Sequence, residues 1–254
     1  MIIDVQLPAY FVPNWPLPAG VACAITRRTG GVSKEPFLSN NLATHVGDDY
    51  LSVKSNRESL QKQLSLPEEP SWLDQVHGNR VINCSEIFKD NRADGSFSKT
   101  RGEVCVVLTA DCMPILLCNR KGDQVAAIHA GWRGLASEII KSAVGVFPDP
   151  NEEIMAYMGP AIGPSAFEVG EDVLEIFLAG AESQTSKAEI SKAFQPHLDR
   201  YLANLYSLAR LKLRALGIVD IYGGEFCTWT DKNQFFSFRR DFRTGRNASL
   251  IWLC

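Results

Sequence analysis

Histidine is scarce in this chain: four in all, at positions 45, 77, 129 and 197. That count excludes a site built from many imidazoles, and a multicopper cluster above all. Cys-x-x-Cys pairs are missing, so neither a zinc ribbon nor a thioredoxin-type centre is expected. Positive charge is not in excess either. A formal net charge of −3 leaves no basic footprint for nucleic acid, and any anionic ligand needs a local cluster of arginines. No apolar run approaches the roughly eighteen residues that cross a bilayer, so no membrane partner is expected. Repeats, low-complexity tracts and Pro/Gly/Ser linkers are also absent, and residues 1–254 read as one domain.

What is present is the composition of an ordinary globule, 45% apolar and 22% charged, long enough to bury a core without staples. Seven cysteines (23, 84, 105, 112, 118, 227 and 254) make an odd, irregular set that sits mostly inside apolar runs. Such thiols suit a reducing compartment better than a disulfide framework. The opening "MIIDVQLPAYFVPNWPLPAG" has an early Asp and four prolines, unlike a signal peptide, and a cytoplasmic location is expected.

Hydrophobic patterning predicts a buried strand over 21–26 and an exposed helix over 49–64. Three apolar runs of strand length follow, "VCVVLTA" (104–110), "PILLCN" (114–119) and "QVAAIHA" (124–130), the last two joined by "KGD" as a hairpin. Apolar residues at 135, 139, 140, 143, 144 and 147 predict an amphipathic helix over 133–147. A strand over 154–159, a helix over 198–217 ending in Gly, and strands in "VDIYGG" and "ASLIWL" complete the pattern. Strands neither alternate strictly with helices nor stand alone, so the expected class is α+β with a mixed sheet.

Chemistry-bearing residues interrupt the apolar runs at their ends. His77 in "DQVHGNR", Cys112 in "LTADCMPILL" and His129 in "IHAGWRG" each lie where a strand runs into a turn. Two imidazoles and a thiolate form a suitable first shell for Zn²⁺ and leave a fourth position open, which marks catalytic zinc. Their separations of 35 and 17 residues match no compact ligand motif. The plainer alternative is that each His caps its own strand and Cys112 belongs to the core. Cys112 with His129 as its base would equally make a metal-free nucleophile. Blue copper also uses His, Cys and His, with Met113 or Met158 as a weak ligand. Asp111, beside Cys112, is expected to orient a ligand imidazole or accept a proton from bound water, or else simply to form the turn.

Arginines are the second group. Arg239, Arg240, Arg243 and Arg246 surround a Gly turn near the end of the chain, and Arg27 and Arg28 stand in "TRRTGGVS". Arg forks bind phosphate in two-pronged fashion, and Arg28 and Arg240 are the expected anion ligands because each lies in a Gly-flanked segment outside the strands. "YMGPAIGPSAFEVG" (157–170), with Glu168, is a loop of a composition able to shape a pocket. His45 and His197 read most simply as surface or capping residues.

"WLDQVHGNRV", "TADCMPILL", "AAIHAGWRG", "GPAIGPSAFEVG" and "FFSFRRDFRTGRNASLIWL", in this order, resemble the YfiH family, also called laccase-domain or polyphenol-oxidase proteins. The likeness runs from about residue 13 to the C-terminus and is strongest to the enterobacterial members of the family. It implies a single α+β domain with mixed sheets, a fold shared with cytotoxic-necrotizing-factor deamidases. It further implies a zinc-dependent phosphorylase of purine nucleosides (adenosine, inosine, guanosine and methylthioadenosine) that also deaminates adenosine. Its metal ligands would fall on His77, Cys112 and His129, and its partners would be purine nucleosides and phosphate. Two other labels accompany the family: polyphenol oxidase with copper, which conflicts with the histidine count, and an amidase acting on cell-wall precursors. The chain departs from the family's T-R-x-G-G by reading "TRRTGG", one residue longer, and Arg28 is aligned with the family's Arg by counting back from the glycines.

Overall fold

A computed structural model describes residues 7–181 and 183–254. The first six residues, part of the opening stretch read above for signal-peptide character, lie outside them. In chain order the elements are β1 (Tyr10–Phe11), β2 (Val21–Thr26), α1 (Tyr50–Leu64), β3 (Val81–Asn83), β4 (Gly95–Ser98) and β5 (Val104–Thr109). There follow β6 (Met113–Asn119), β7 (Val125–Ala130), α2 (Trp132–Ala136), α3 (Ile139–Val144), β8 (Ile154–Met158), β9 (Glu168–Val169) and α4 (Glu171–Ala179). The remainder is α5 (Gln184–Lys192), β10 (Phe194–His197), β11 (Arg200–Ala203), α6 (Leu205–Ala215), β12 (Asp220–Gly223), α7 (Phe238–Asp241) and β13 (Asn247–Leu253).

The apolar runs at 104–130 are uninterrupted because their strands are covered on both faces. Side chains alternate across a strand. Ile115 and Leu117 of β6 face a core shared with α2, α3 and α6, while Leu116 and Cys118 face a second core shared with Cys23, Ile25, Cys105, Val107 and Ile251. That second core glues two sheets together. One has the order β1-β2-β13-β5 and the other β12-β8-β6-β7-β4-β3. The outer face of the smaller sheet (Ala24, Val106, Leu108, Leu250) packs on Leu42 and Leu60, the latter from α1. The layers therefore run helix, sheet, sheet, helices. Each fully buried Leu or Ile of β6 contributes roughly 1.5–3 kcal/mol to this arrangement.

The six-stranded sheet is mixed, as the α+β reading requires: β12–β8 and β3–β4 are parallel, the other pairs antiparallel. A third sheet, β10-β11-β9, is small. The β6–β7 hairpin forms at the expected "KGD", with Gly122 at φ 71 and the Asn119 side chain accepting the N–H groups of Asp123 and Gln124. Asp49 caps α1 by accepting the N–H of Ser52.

Two helices differ from expectation. The stretch 133–147 is two short helices, because Glu138 takes a left-handed conformation (φ 69) and its carboxylate pairs with Lys212 of α6. In the stretch 198–217 only the second half is helical. Residues 200–203 pair with 194–197 as β11, and Asn204 then caps α6 by accepting the N–H of Ser207. Gly217 at φ 85 follows the helix end, as its position predicted.

Candidate metal centre

Strand register assembles the site. In the β6–β7 hairpin Met113 lies opposite Ala130 and Pro114 opposite His129, so Cys112, just before β6, stands beside the end of β7. On the other side of β7, Gly95 pairs with Ile128, which sets Asp94 next to His129. Strand β3 runs parallel to β4 with Val81 beside Gly95, so the turn carrying His77 reaches the same edge. One ligand atom each from His77, Cys112 and His129 then lies within 4.8 Å of the others. The two imidazole rings meet edge to face at 4.7 Å. Gly131 leaves the room they need: a Cβ there would stand 2.7 Å from Cys112 Sγ and 3.6 Å from His77 Cδ2.

Asp94 is fully buried and orients an imidazole, with Oδ1 2.8 Å from His129 Nδ1. The same carboxylate accepts the backbone N–H groups of His77 (2.8 Å) and Gly78 (2.6 Å). Asp94 was not legible in the sequence. Asp111 does not have the imidazole-orienting role expected of it. Its backbone sits at φ 90, and its carboxylate accepts Thr228 Oγ1–H at 2.7 Å and the Arg239 N–H at 2.6 Å.

Burial alone would raise the Cys112 thiol, but the His129 charge and hydrogen bonds from both imidazoles bring it down to about 6. For His129 burial works against the charged form, and the Cys112 thiolate and Asp94 outweigh it, raising the imidazole to about 9. In the protein alone the pair is thus a thiolate and an imidazolium.

The three donors open into a cavity of about 370 Å³, whose walls include Phe167, Trp132, Phe238, Asp111 and His45. Its arginines are Arg133, Arg239 and Arg246. Arg239 donates one guanidinium N–H to Glu168 O, and its guanidinium stands over the Phe167 ring. Arg246 donates to Thr244 O and Gly245 O.

Arg28 and Arg240, the expected anion ligands, lie outside this lining. Arg240 gives its side-chain N–H groups to Thr228 O, Trp229 O, Phe235 O and both carboxylate oxygens of Asp241, five bonds for five donors. Arg28 is tied to Leu38 O and Lys232 O, 3.8 Å from the same Asp241. His45 is exposed, as expected, and also stands in the cavity wall, whereas His197 is apart, 4.0 Å from Glu168.

The donor set fits zinc: two nitrogens and a sulfur on one side, open cavity on the other. It does not fit a multicopper centre. Among the described residues no second group of three such side chains converges. Met113 and Met158, the candidate weak copper ligands, are fully buried in the apolar core.

A family model described as multi-copper polyphenol oxidoreductase laccase matches residues 22–254. The purine nucleoside phosphorylase YfiH of Escherichia coli K12 is 50% identical over 243 residues, covering 95% of this chain and 98% of its own. A purine nucleoside phosphorylase of Haemophilus influenzae is 46% identical, covering 94% and 97%. The crystal structure of a Neisseria meningitidis protein superposes with a TM-score of 0.90 at 45% identity, covering 97% of this chain and 99% of its own. YlmD from Geobacillus stearothermophilus gives 0.88 at 29%, covering 98% and 97%. With the motifs, the fold and full-length relatives in agreement, the chain belongs to the YfiH family of laccase-domain proteins.

Proposed function

We propose that the chain is a zinc-dependent purine nucleoside phosphorylase, acting on adenosine, inosine, guanosine and methylthioadenosine, with deamination of adenosine as a second reaction. The observation that carries this reading is the convergence of His77, Cys112 and His129 on a cavity that also holds three arginines and three aromatic rings. The relatives' names supply the substrate class.

Phosphorolysis joins a phosphate oxygen to the anomeric carbon as the bond from that carbon to the purine nitrogen breaks, with the electron pair leaving on the base. A chain of net charge −3 cannot draw a dianion by its overall field, so local guanidinium groups must hold it. Arg133, Arg239 and Arg246 line the cavity and would hold it. Phe167, Phe238 and Trp132 offer flat apolar surface for a purine and keep water from the bond being broken. Zinc held by His77, Cys112 and His129 would supply Lewis-acid polarisation at the open fourth position. The four fully buried free thiols suit a reducing, cytoplasmic setting.

Incubation of the purified protein with inosine and phosphate tests the proposal. Ribose-1-phosphate is the expected product, whereas free ribose makes water the nucleophile and the enzyme a hydrolase. One observation favours a second reading: Cys112 Sγ and the His129 imidazole converge as a cysteine nucleophile and its base would. That enzyme, an amidase for example, keeps full turnover after chelation and loses it on alkylation.

A further inference from the structure

We propose that Asp94 is the positioning residue of the metal centre, setting both histidines at once through one buried carboxylate; the inference rests on reading His77, Cys112 and His129 as metal ligands. A fully buried carboxylate is costly unless it is compensated, and no Lys or Arg side chain is among the hydrogen-bond partners of the Asp94 carboxylate. Its partners are the N–H groups of Val76 (3.3 Å), His77 (2.8 Å) and Gly78 (2.6 Å) and the imidazole Nδ1 of His129 (2.8 Å). Every one belongs to a ligand or to a neighbour of a ligand.

Two separate constraints follow. His77 has φ 62, a left-handed conformation that a non-glycine residue adopts at a cost, and three consecutive N–H groups directed at one carboxylate hold the turn there. At His129 the carboxylate accepts only, so the proton belongs on Nδ1 and the lone pair on Nε2, the nitrogen left for Cys112 and the cavity. Position and tautomer of the two ligands thus depend on a single residue outside the ligand set, 17 residues from one and 35 from the other.

Asparagine keeps the shape of Asp94 but cannot satisfy both sides. An amide NH₂ in place of Oδ2 meets the N–H groups of Val76 and Gly78; in place of Oδ1 it meets the His77 N–H, donates to His129 Nδ1 and sends the ring proton to Nε2, where the metal belongs. Asp94→Asn should therefore weaken zinc binding by roughly tenfold to a hundredfold, read by competition with a chromophoric chelator near neutral pH. Leu60→Ala, a core truncation under α1, should lower the melting temperature and leave zinc affinity at the wild-type value, separating positioning from general destabilisation. A measurement on the wild type does not depend on any variant folding: nitrogen-15 NMR of the zinc-loaded protein should show His129 protonated at Nδ1 and ligated through Nε2. Zinc affinity unchanged within about twofold in a folded Asp94→Asn variant, or ligation through Nδ1, overturns the role of Asp94 alone. A wild-type protein that takes up no zinc overturns the metal reading and this role together.

Discussion

Asp111 accepts the backbone N–H of Arg239 at 2.6 Å across 128 residues of sequence, and this bond fixes where the arginine enters the cavity. The other carboxylate oxygen takes the Thr228 hydroxyl, so the turn before β6 is clamped to the segment that carries α7. The acid next to Cys112 thus holds the arginine-bearing wall of the cavity.

Asparagine can replace that clamp. Its carbonyl still accepts the Arg239 N–H, the Thr228 hydroxyl can rotate to accept from the amide, and Asn tolerates φ 90 better than most residues. Asp111→Asn should keep zinc and most turnover, while Asp111→Ala keeps zinc and raises KM for phosphate about tenfold, on the order of 1.4 kcal/mol of lost binding. A turnover loss in Asp111→Asn as deep as in Asp111→Ala would show that the carboxylate accepts a proton instead.

Arg239 and Arg240 are adjacent in sequence and should behave oppositely. Arg239→Gln should raise KM for phosphate tenfold or more, about 1.4 kcal/mol, and spare the phosphate-independent deamination of adenosine. Arg240→Ala leaves three backbone carbonyls and Asp241 without their donor, and should lower stability by on the order of 2 kcal/mol, seen as a lower denaturant midpoint. Equal losses of both reactions in a folded Arg239→Gln protein would assign that residue to nucleoside binding or folding.

Elemental analysis should find about one zinc per chain, as a single three-ligand site requires. His77→Ala, Cys112→Ser and His129→Ala should each lower occupancy and phosphorolysis together. Gly131→Ala should do the same without removing a ligand, since its Cβ would intrude on Cys112 Sγ. Full zinc occupancy in both histidine variants removes the assignment.

Proton linkage in the metal-free protein has an unusual sign balance. The Cys112 thiol drops from 9.0 to about 6, so its stabilising share is complete above 9.0 and lost as pH falls through 6. His129 climbs from 6.5 to about 9, so its share is complete below 6.5 and lost as pH rises through 9. Between those limits folded and unfolded chains each hold one proton on the pair, on the imidazole when folded and on the thiol when unfolded. Stability from this pair should stay flat across that window. Alkylation of Cys112 by iodoacetamide should instead follow the thiolate, with a midpoint near 6, and bound zinc should suppress it. A midpoint near 9 would remove the ion pair.

The parts of fold and site legible in the sequence are those written in local pattern. Strands β5, β6 and β7 are continuous apolar runs, and the hairpin between β6 and β7 has its turn residues in place. His77, Cys112 and His129 stood out because polar groups at the ends of such runs need a reason. Glu138 and the stretch 200–203 misled because a helical period does not reveal an αL residue held by a distant lysine, or a strand paired to its neighbour. Asp94, in the polar stretch "NRADGS", has no local sign of burial; only the register of β4 on β7 places it beside His129. That Arg239 and Arg246 line the cavity while Arg28 and Arg240 do not was illegible for a similar reason. Flanking glycines do not say which carbonyls a guanidinium will reach.

Strand β13 lies in the middle of its sheet, between β2 and β5, although it is the last strand of the chain. Until the ribosome delivers it, β2 and β5 are two long apolar edges with no partner, a template for pairing between nascent chains. A chain cut before residue 247 should therefore aggregate although His77, Cys112 and His129 have already been made.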